Sequence, residues 1–229
     1  MDVTQLKKDL QAYANQEKAE FFPRFFKTGK GQYAEGDKFI GVTVPNQRKI
    51  AKKYTNLPLP EVEKLLRDPI HECRLTALLI LIEKYKTSPQ AIYDLYIKNL
   101  KYINNWDLVD TSAPKILGEY LLENPNRDLL HKLAKSQNLW ERRIAIISTQ
   151  TFIKHLQFDD TIKIATLLLQ DTHDLIHKAV GWMLREVGKK DLKTLENFLK
   201  KHHKTMPRTA LRYAIEHLPQ DKRHHYMQS

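Results

Sequence analysis

The chain has 229 residues, a hydrophobic content of 41% and a net charge of +11, which describe a basic globular protein rather than a disordered one. Its single cysteine, Cys73, excludes an internal disulfide and a cysteine-rich zinc site, and suits a reducing compartment. The longest apolar run is far shorter than the roughly 20 residues of a membrane span, and the first residues are too polar for a signal peptide. We therefore expect a soluble intracellular protein.

The positive charge is unevenly distributed. Residues 131–229 contain 18 Lys and Arg against 10 Asp and Glu, whereas the first 130 residues contain 20 against 17. A basic half of this kind fits a polyanionic partner, with nucleic acid as the first candidate. The alternative is that the charge serves solubility alone.

The first 45 residues predict two short amphipathic helices, at 2–14 and 17–27, followed by a loop. The second helix carries an aromatic cluster that includes Phe25. Four of the seven glycines lie between Thr28 and Gly41, which predicts an irregular segment. It is either a simple long turn or a flexible backbone near a ligand; it is not a P-loop, because no strand precedes it and Gly-Lys-Ser/Thr is missing.

The remaining segment, 46–229, is predicted to be a succession of helices in a single domain of residues 1–229. No stretch shows the alternation of a strand, so the fold class is all-α. The predicted helices are 45–55, 60–67, 69–86, 88–98, 105–122, 126–135, 138–154, 158–169, 171–187, 191–203 and 206–217.

These helices also repeat. Similar units recur with steps of 34, 34, 35 and 35 residues around five aligned positions, Arg74, Leu108, Arg142, His177 and Arg212. A period near 35 with two helices per unit is typical of an α-solenoid. We therefore predict a right-handed α-solenoid of HEAT-like helical repeats with a concave basic groove.

The helix that begins near residue 105 places an acid beside an aromatic side chain. Asn104 or Asn105 can cap it, and Asp107 falls where a carboxylate meets the positive end of the helix dipole. Asp110 has no such capping role and shares a face with Trp106, one turn away. Asp110 is the first candidate for chemistry, and a structural salt bridge is the alternative.

Cationic and aromatic residues of two later helices are candidates for the same groove. One face of the later predicted helix carries Lys178, Trp182 and Arg185. A helix face buried in an apolar core would not normally contain unpaired lysine and arginine. Trp182 is alternatively a half-buried packing residue. Arg142 and Arg143 are adjacent, so at least one can face the groove, where a guanidinium suits a phosphate.

No metal, cofactor or nucleophile set is predicted. The histidine pairs 202–203 and 224–225 lack carboxylate or cysteine partners at ligand spacing. Cys73 lies inside an apolar helix, so it is not a candidate nucleophile.

Three segments together resemble the AlkD-like DNA alkylation repair family of HEAT-like-repeat DNA glycosylases. They are Trp106–Asp110, Leu139–Arg143 and Lys178–Glu186, and the similarity extends over nearly the whole chain. The resemblance implies excision of cationic N3- or N7-alkylated purines from double-stranded DNA by a bacterial monomer without a cofactor. It also implies a cytoplasmic location, associated with the nucleoid when DNA is bound.

The resemblance assigns roles to individual residues. The catalytic carboxylate corresponds to Asp110, and the two groove tryptophans correspond to Trp106 and Trp182. The arginine that contacts phosphate corresponds to Arg143, with Arg142 as the alternative. Glycosylases generally flip their base, but this family resembles an exception in which the lesion stays stacked.

The chain also departs from the family pattern. Phe25, without a hydroxyl, stands where an aromatic residue of the family faces the duplex, and the Thr28–Gly41 loop is longer. A non-catalytic HEAT-like protein that binds bent or branched DNA is therefore an alternative. A protein-interaction scaffold is a third reading, which the Lys178 and Arg185 stripe disfavours.

Overall fold

The computed structural model describes residues 2–124 and 126–228, which form helices joined by short connections. The helices are α1 Val3–Gln11, α2 Gln16–Phe25, α3 Val44–Lys53, α4 Leu59–Leu66, α5 His71–Lys84, α6 Pro89–Lys98, α7 Trp106–Ser112, α8 Glu119–Glu123, α9 Asp128–Ala134, α10 Leu139–Lys154, α11 Asp159–Leu168, α12 Asp174–Lys190, α13 Leu192–His202, α14 Arg208–Ala214 and α15 Gln220–Gln228. These residues contain no strand, only an isolated bridge between Lys38 and Ile70. The all-α prediction is confirmed.

The chain divides into two compact units, Met1–Ser112 and Ala113–Ser229. In the first unit α5 is the central helix and packs against α3, α4, α6 and α7. In the second unit α10 has that position and packs against α9, α11 and α12. Both central helices are buried for most of their length because they are apolar on nearly every side. No helix among the described residues combines the length and apolar character of a membrane span.

At three of the five aligned positions of the repeat, the side chain makes an equivalent contact with the backbone. Arg74 donates to the carbonyl oxygen six residues before it, at 3.1 Å, and Arg142 does the same at 3.0 Å. A ring nitrogen of His177 lies 2.5 Å from the carbonyl oxygen at the equivalent position. Each contact ties the first turn of a helix to the connection preceding it. Leu108 is instead buried in the core and Arg212 is exposed.

Two helix predictions differ from the structure. The segment predicted as one helix over 105–122 consists of α7, a π-helical turn at Pro114–Gly118, and α8. Pro114 has no N–H group, and the amide of Gly118 bonds five residues back to the carbonyl of Ala113 at 2.9 Å. The last helix, α15, was not predicted, because its sequence is polar on almost every side and buries only Tyr226.

A glycine allows two helices of the second unit to approach each other closely. A Cβ atom at Gly181 in α12 would lie 2.4 Å from the carbonyl oxygen of Ala210 and 2.5 Å from the Cβ of Tyr213, both in α14. The backbone of α14 cannot move away from an added methyl group as a flexible side chain could. Gly188, in the same helix, would place a Cβ 2.4 Å from a methyl of Leu195, which is the end of a flexible side chain.

We expect Gly181→Ala to reduce the free energy of unfolding by about 1–3 kcal/mol, because the added methyl forces α12 and α14 apart. Urea denaturation followed by circular dichroism measures this change. Gly188→Ala is the matched control and should be close to neutral, since the gain in helix propensity offsets a small rearrangement of Leu195. Equal losses for the two variants would contradict the close approach at Gly181.

Candidate active site

The beginning of α7 holds the Trp106 and Asp110 pair in place. The side-chain oxygen of Asn105 accepts the amide of Trp106 at 2.8 Å, and Oδ1 of Asp107 accepts the amide of Leu108 at 2.9 Å. Asn105 directly precedes α7, and its side chain bonds the first amide of that helix. Trp106 and Asp110 are both partly exposed and lie one helical turn apart.

A cavity of about 450 Å³ adjoins this pair and lies entirely within the first unit. It is lined by α2, the segment between α2 and α3, the first turn of α3, α5 and α7. Its lining residues are Phe22, Phe25, Phe26, Phe39, Val42, Thr43, Val44, Pro45, Gln47, His71, Glu72, Leu75, Trp106, Asp107, Asp110 and Thr111. Its size is within the range of small-molecule sites in proteins. Three of the predicted site residues, Phe25, Trp106 and Asp110, meet at this cavity.

Stacked rings form one wall of the cavity. Phe26 stacks on Trp106 with ring centroids 5.4 Å apart, and on Phe39 at 5.0 Å. Phe39 in turn stacks on the imidazole of His71 at 4.7 Å. Phe25 meets Trp106 edge-on at 5.8 Å and keeps about 50% of its surface exposed. The stack orients the indole ring, and Phe25 remains accessible to a ligand.

Behind this wall, a buried histidine lies between two carboxylates. Nε2 of His71 is 2.7 Å from Asp107 and Nδ1 is 3.1 Å from Asp37, while only 2% of the His71 surface is exposed. Arg74 donates to the other oxygen of Asp37 at 2.7 Å, and the amide of Asn104 donates to the same oxygen at 3.3 Å. This cluster joins the loop before α3 to the first turns of α5 and α7.

The cluster keeps His71 protonated. Burial alone would lower the pKa of His71, but the charge and hydrogen bond of Asp107, and the hydrogen bond of Asp37, outweigh it and raise the pKa to about 9. Burial alone would raise the pKa of Asp37. His71 and Arg74 outweigh this effect, so the pKa of Asp37 is lowered. At neutral pH both ring nitrogens of His71 therefore carry protons and donate to carboxylates.

The glycine-rich loop is fixed by a second buried acid. Glu72, which is 1% exposed, accepts the backbone amides of Ile40, Gly41 and Val42 at 2.8–3.2 Å. Gly41 has a φ of +80°, and a Cβ there would lie 2.1 Å from the carbonyl oxygen of Asn15. The backbone of the loop is therefore held in place, and its residue Phe39 lines the cavity.

The other predicted site residues belong to the second unit. Lys178, Trp182 and Arg185 lie on α12, where Lys178 pairs with Asp174 at 2.8 Å and Arg185 pairs with Glu216. Trp182 is half-buried. The predicted stripe is therefore partly neutralised by neighbouring acids.

The two adjacent arginines of α10 have different environments. Arg142 pairs with Asp171 at 2.6 Å and donates to the carbonyls of Ser136 and Gln137, so it makes the repeat contact described above. Arg143 is nearly buried and donates to the carbonyl of Leu175 in the first turn of α12. Both guanidinium groups therefore already have partners within the second unit.

Comparison with known proteins identifies the family of the chain. The sequence profile of the family described as "DNA alkylation repair enzyme" matches residues 6–218. The chain belongs to this family.

Solved structures show the same fold. A structure titled as a predicted DNA alkylation repair enzyme from Enterococcus faecalis matches with a TM-score of 0.72 and 18% identity, over 90% of this chain and 97% of the other. AlkD2 from Streptococcus mutans matches with a TM-score of 0.58 and 17% identity, over 94% and 96%. A search of curated proteins returned no match. The predicted helical-repeat fold is thus confirmed for this DNA alkylation repair family member.

Sequence reasoning missed the residues that support the site. The sequence assigns Asp107 only a capping role and does not distinguish His71, Glu72 or Asp37 as site residues. One signal was available: adjacent His71 and Glu72 open an otherwise apolar helix, where buried ionisable groups need partners. The partners themselves lie 30 or more residues away in the sequence and could not be identified from it.

We expect the contribution of His71 to stability to depend on pH. Its pKa rises from 6.5 in the unfolded chain to about 9 in the folded protein, so its stabilisation is complete below pH 6.5 and is lost as pH rises through about 9. The difference in unfolding free energy between the wild type and His71→Gln should fall by up to about 3 kcal/mol over that interval.

Urea denaturation at several pH values measures this difference. His217→Gln, at an exposed histidine, is the control and should show no such dependence. A constant difference between wild type and His71→Gln from pH 6.5 to 9 would mean that His71 is neutral in the folded protein.

Proposed function

We propose that this protein is a DNA glycosylase that releases cationic N3- and N7-alkylated purines from double-stranded DNA, as a monomer without a cofactor. The observation that carries the proposal is the cavity beside Asp110, which combines aromatic walls with carboxylates on a chain of net charge +11. The family to which the chain belongs supports the repair of alkylated DNA.

The chemistry needs little acid catalysis. N-alkylation gives the purine a positive charge, so it is already a good leaving group. Breaking the glycosidic bond leaves an oxocarbenium-like sugar, which a fixed carboxylate stabilises and can supply with an oriented water. We assign this role to Asp110. Aromatic faces attract the same cation by about 0.5–2 kcal/mol each, and we assign this role to Trp106 and, from the resemblance, to Trp182.

The remaining site residues are proposed to hold the DNA. Arg143, Lys178 and Arg185 supply cationic contacts to phosphates, and the half-exposed Phe25 supplies an apolar face. Arg142 is the alternative to Arg143 for this phosphate contact. Asp171 and two carbonyls bond the guanidinium of Arg142, and the buried Arg143 donates to the carbonyl of Leu175. The resemblance to the family implies that the alkylated base stays stacked in the duplex during the reaction.

A second candidate function is DNA binding without excision, for bent or branched DNA. The observation that favours it is the stacking of Phe26 on the Trp106 ring, which covers part of the aromatic surface with the protein's own side chain. The two functions differ in their dependence on Asp110: excision needs its carboxylate, whereas binding does not.

We expect Asp110→Asn to lower the rate of base release by about a hundredfold or more, because the isosteric amide removes the charge that stabilises the sugar cation. The measurement is single-turnover release of 7-methylguanine from an alkylated duplex. Asp94→Asn, an exposed aspartate of α6, is the matched control and should act like the wild type. If excess wild-type enzyme releases no base while binding the duplex, the second candidate function is correct.

We also expect Lys178→Gln to weaken duplex binding uniformly across sequences and to reduce the slope of log affinity against log salt by about one. Fluorescence anisotropy at several salt concentrations gives this slope. Lys204→Gln removes an exposed charge from the turn after α13 and should leave it unchanged. An unchanged slope in Lys178→Gln would remove this lysine from the phosphate contacts.

A further inference from the structure

A second cavity, of about 510 Å³, lies between the last two helices of the second unit. Its lining residues are Arg212 of α14, Ile215 directly after α14, and Gln220, Arg223, His224 and Met227 of α15. None of these residues lines the cavity of the candidate active site, which belongs to the first unit. The cavity between α14 and α15 is therefore a separate candidate for ligand binding.

The four residues that α15 contributes lie on one face of that helix. Gln220, Arg223, His224 and Met227 are spaced i, i+3, i+4 and i+7. A helix that packs against a neighbour normally places apolar residues at these positions. Here only Met227 is apolar, so this face of α15 is not suited to packing against α14.

Contacts on its other sides hold α15 in position. Tyr226 is buried, and the ring of His203 meets it edge-on at 5.4 Å. Lys222 pairs with Glu196 of α13, and Arg208 of α14 donates to a backbone carbonyl of α15 at 2.7 Å. The side chains that face the cavity therefore extend from a helix that is fixed by other residues.

The cavity is cationic. Two guanidinium groups line it, those of Arg212 and Arg223, and none of the described lining residues is acidic. Neither guanidinium forms an ion pair with a carboxylate of residues 2–124 or 126–228, and both side chains are exposed. By contrast, Arg142, at the aligned position of an earlier repeat, pairs with Asp171. The two arginines of the cavity are therefore available to an anion from solution.

The polar groups of the cavity suit a phosphate monoester. This group carries a charge of about −1.5 to −2 at neutral pH and three acceptor oxygens, whereas a backbone phosphodiester carries a single charge. A guanidinium can bind a phosphate through two parallel hydrogen bonds, so Arg212 and Arg223 can hold one monoester from two helices. The amide of Gln220 and the ring of His224 supply further donors.

One part of the cavity is apolar, which indicates that the ligand has an organic part as well. Ile215 is buried and Met227 is half-buried. A methionine thioether makes favourable contacts with aromatic rings, and a guanidinium stacks on flat ring systems. The volume of the cavity is within the range of small-molecule sites in proteins. A nucleoside monophosphate combines a flat ring with a phosphate monoester.

We propose that this cavity binds a nucleoside monophosphate, with Arg212 and Arg223 on the phosphate and the base against Ile215 and Met227. Two sources have this chemistry, a free nucleotide and the terminal phosphate of a DNA strand. The inference goes beyond the proposed function and does not depend on it, because no residue of this cavity takes part in the proposed excision.

The test is isothermal titration calorimetry of the full chain with adenosine 5′-monophosphate, adenosine and inorganic phosphate. We expect the monophosphate to bind about tenfold or more tightly than adenosine, which lacks the acceptor for the guanidinium groups. Inorganic phosphate should bind more weakly than the monophosphate, because it has no ring to contact Ile215 and Met227.

Variants assign the binding to the cavity. Arg212→Gln and Arg223→Gln should each lower the affinity for adenosine 5′-monophosphate by about tenfold, because each removes one charge-assisted contact. Both arginines are exposed, so the fold should be retained, and thermal melting verifies this. Arg48→Gln is the matched control; it removes an exposed arginine of α3 that does not line the cavity, and should bind like the wild type.

Fluorescence anisotropy with two short duplexes distinguishes the sources of the phosphate. One duplex has 5′-phosphate ends and the other has 5′-hydroxyl ends. Tighter binding of the phosphorylated duplex that is lost in Arg223→Gln, but not in Arg48→Gln, supports a strand end as the ligand. Equal binding of the two duplexes, together with binding of the free monophosphate, supports a free nucleotide.

Three calorimetric results would overturn the inference: no binding of adenosine 5′-monophosphate, an affinity no higher than that of adenosine, or an affinity no higher than that of inorganic phosphate. Equal effects of Arg48→Gln and the cavity variants would also overturn it. If Arg212→Gln and Arg223→Gln weaken only the binding of the unphosphorylated duplex, the cavity contacts the DNA backbone and the inference is wrong. Base excision is measured separately, so the inference and the glycosylase proposal can fail independently.

Discussion

The first unit depends on one protonated histidine held between two aspartates. His71 begins α5, Asp37 belongs to the glycine-rich loop and Asp107 belongs to the first turn of α7. Three segments that are distant in sequence therefore meet at one imidazolium. Removing any member leaves a buried charge without its partner, which costs more than the pair contributes. The orientation of Trp106 follows, because its ring rests on the stack that covers His71.

The same chain combines a basic character with an acidic cavity. Phosphates are bound by cations distributed along a surface. A sugar or base that becomes positive is instead stabilised by a fixed carboxylate in an apolar environment. The chain has an excess of lysine and arginine, and the cavity beside Asp110 combines a carboxylate with aromatic rings. In the proposed function, the basic residues hold the phosphates, and Asp110 with its aromatic neighbours stabilises the cation. Some of this positive charge also serves the fold: the guanidinium of Arg142 pairs with Asp171 and donates to the carbonyl of Ser136.

The glycine-rich loop illustrates how ordered a long irregular segment can be. Its backbone amides converge on the carboxylate of Glu72, and Gly41 takes a left-handed conformation against α2. Phe39 then reaches the cavity from the loop. A segment whose composition indicates only irregularity thus supplies a wall of the candidate site, because its hydrogen bonds are made to another part of the unit.

The sequence alone determined the all-α class, the helical-repeat period and the prominence of Trp106 and Asp110. These depend on local periodicity and on residues one turn apart, which a linear chain displays directly. It did not reveal α15, whose polar sequence has no apolar stripe and whose anchor, Tyr226, is evident only from burial. Only the tertiary structure decided that His71 is charged and that an acidic aromatic cavity lies beside Asp110. Both follow from partners more than 30 residues apart, and packing, not sequence spacing, brings such groups together.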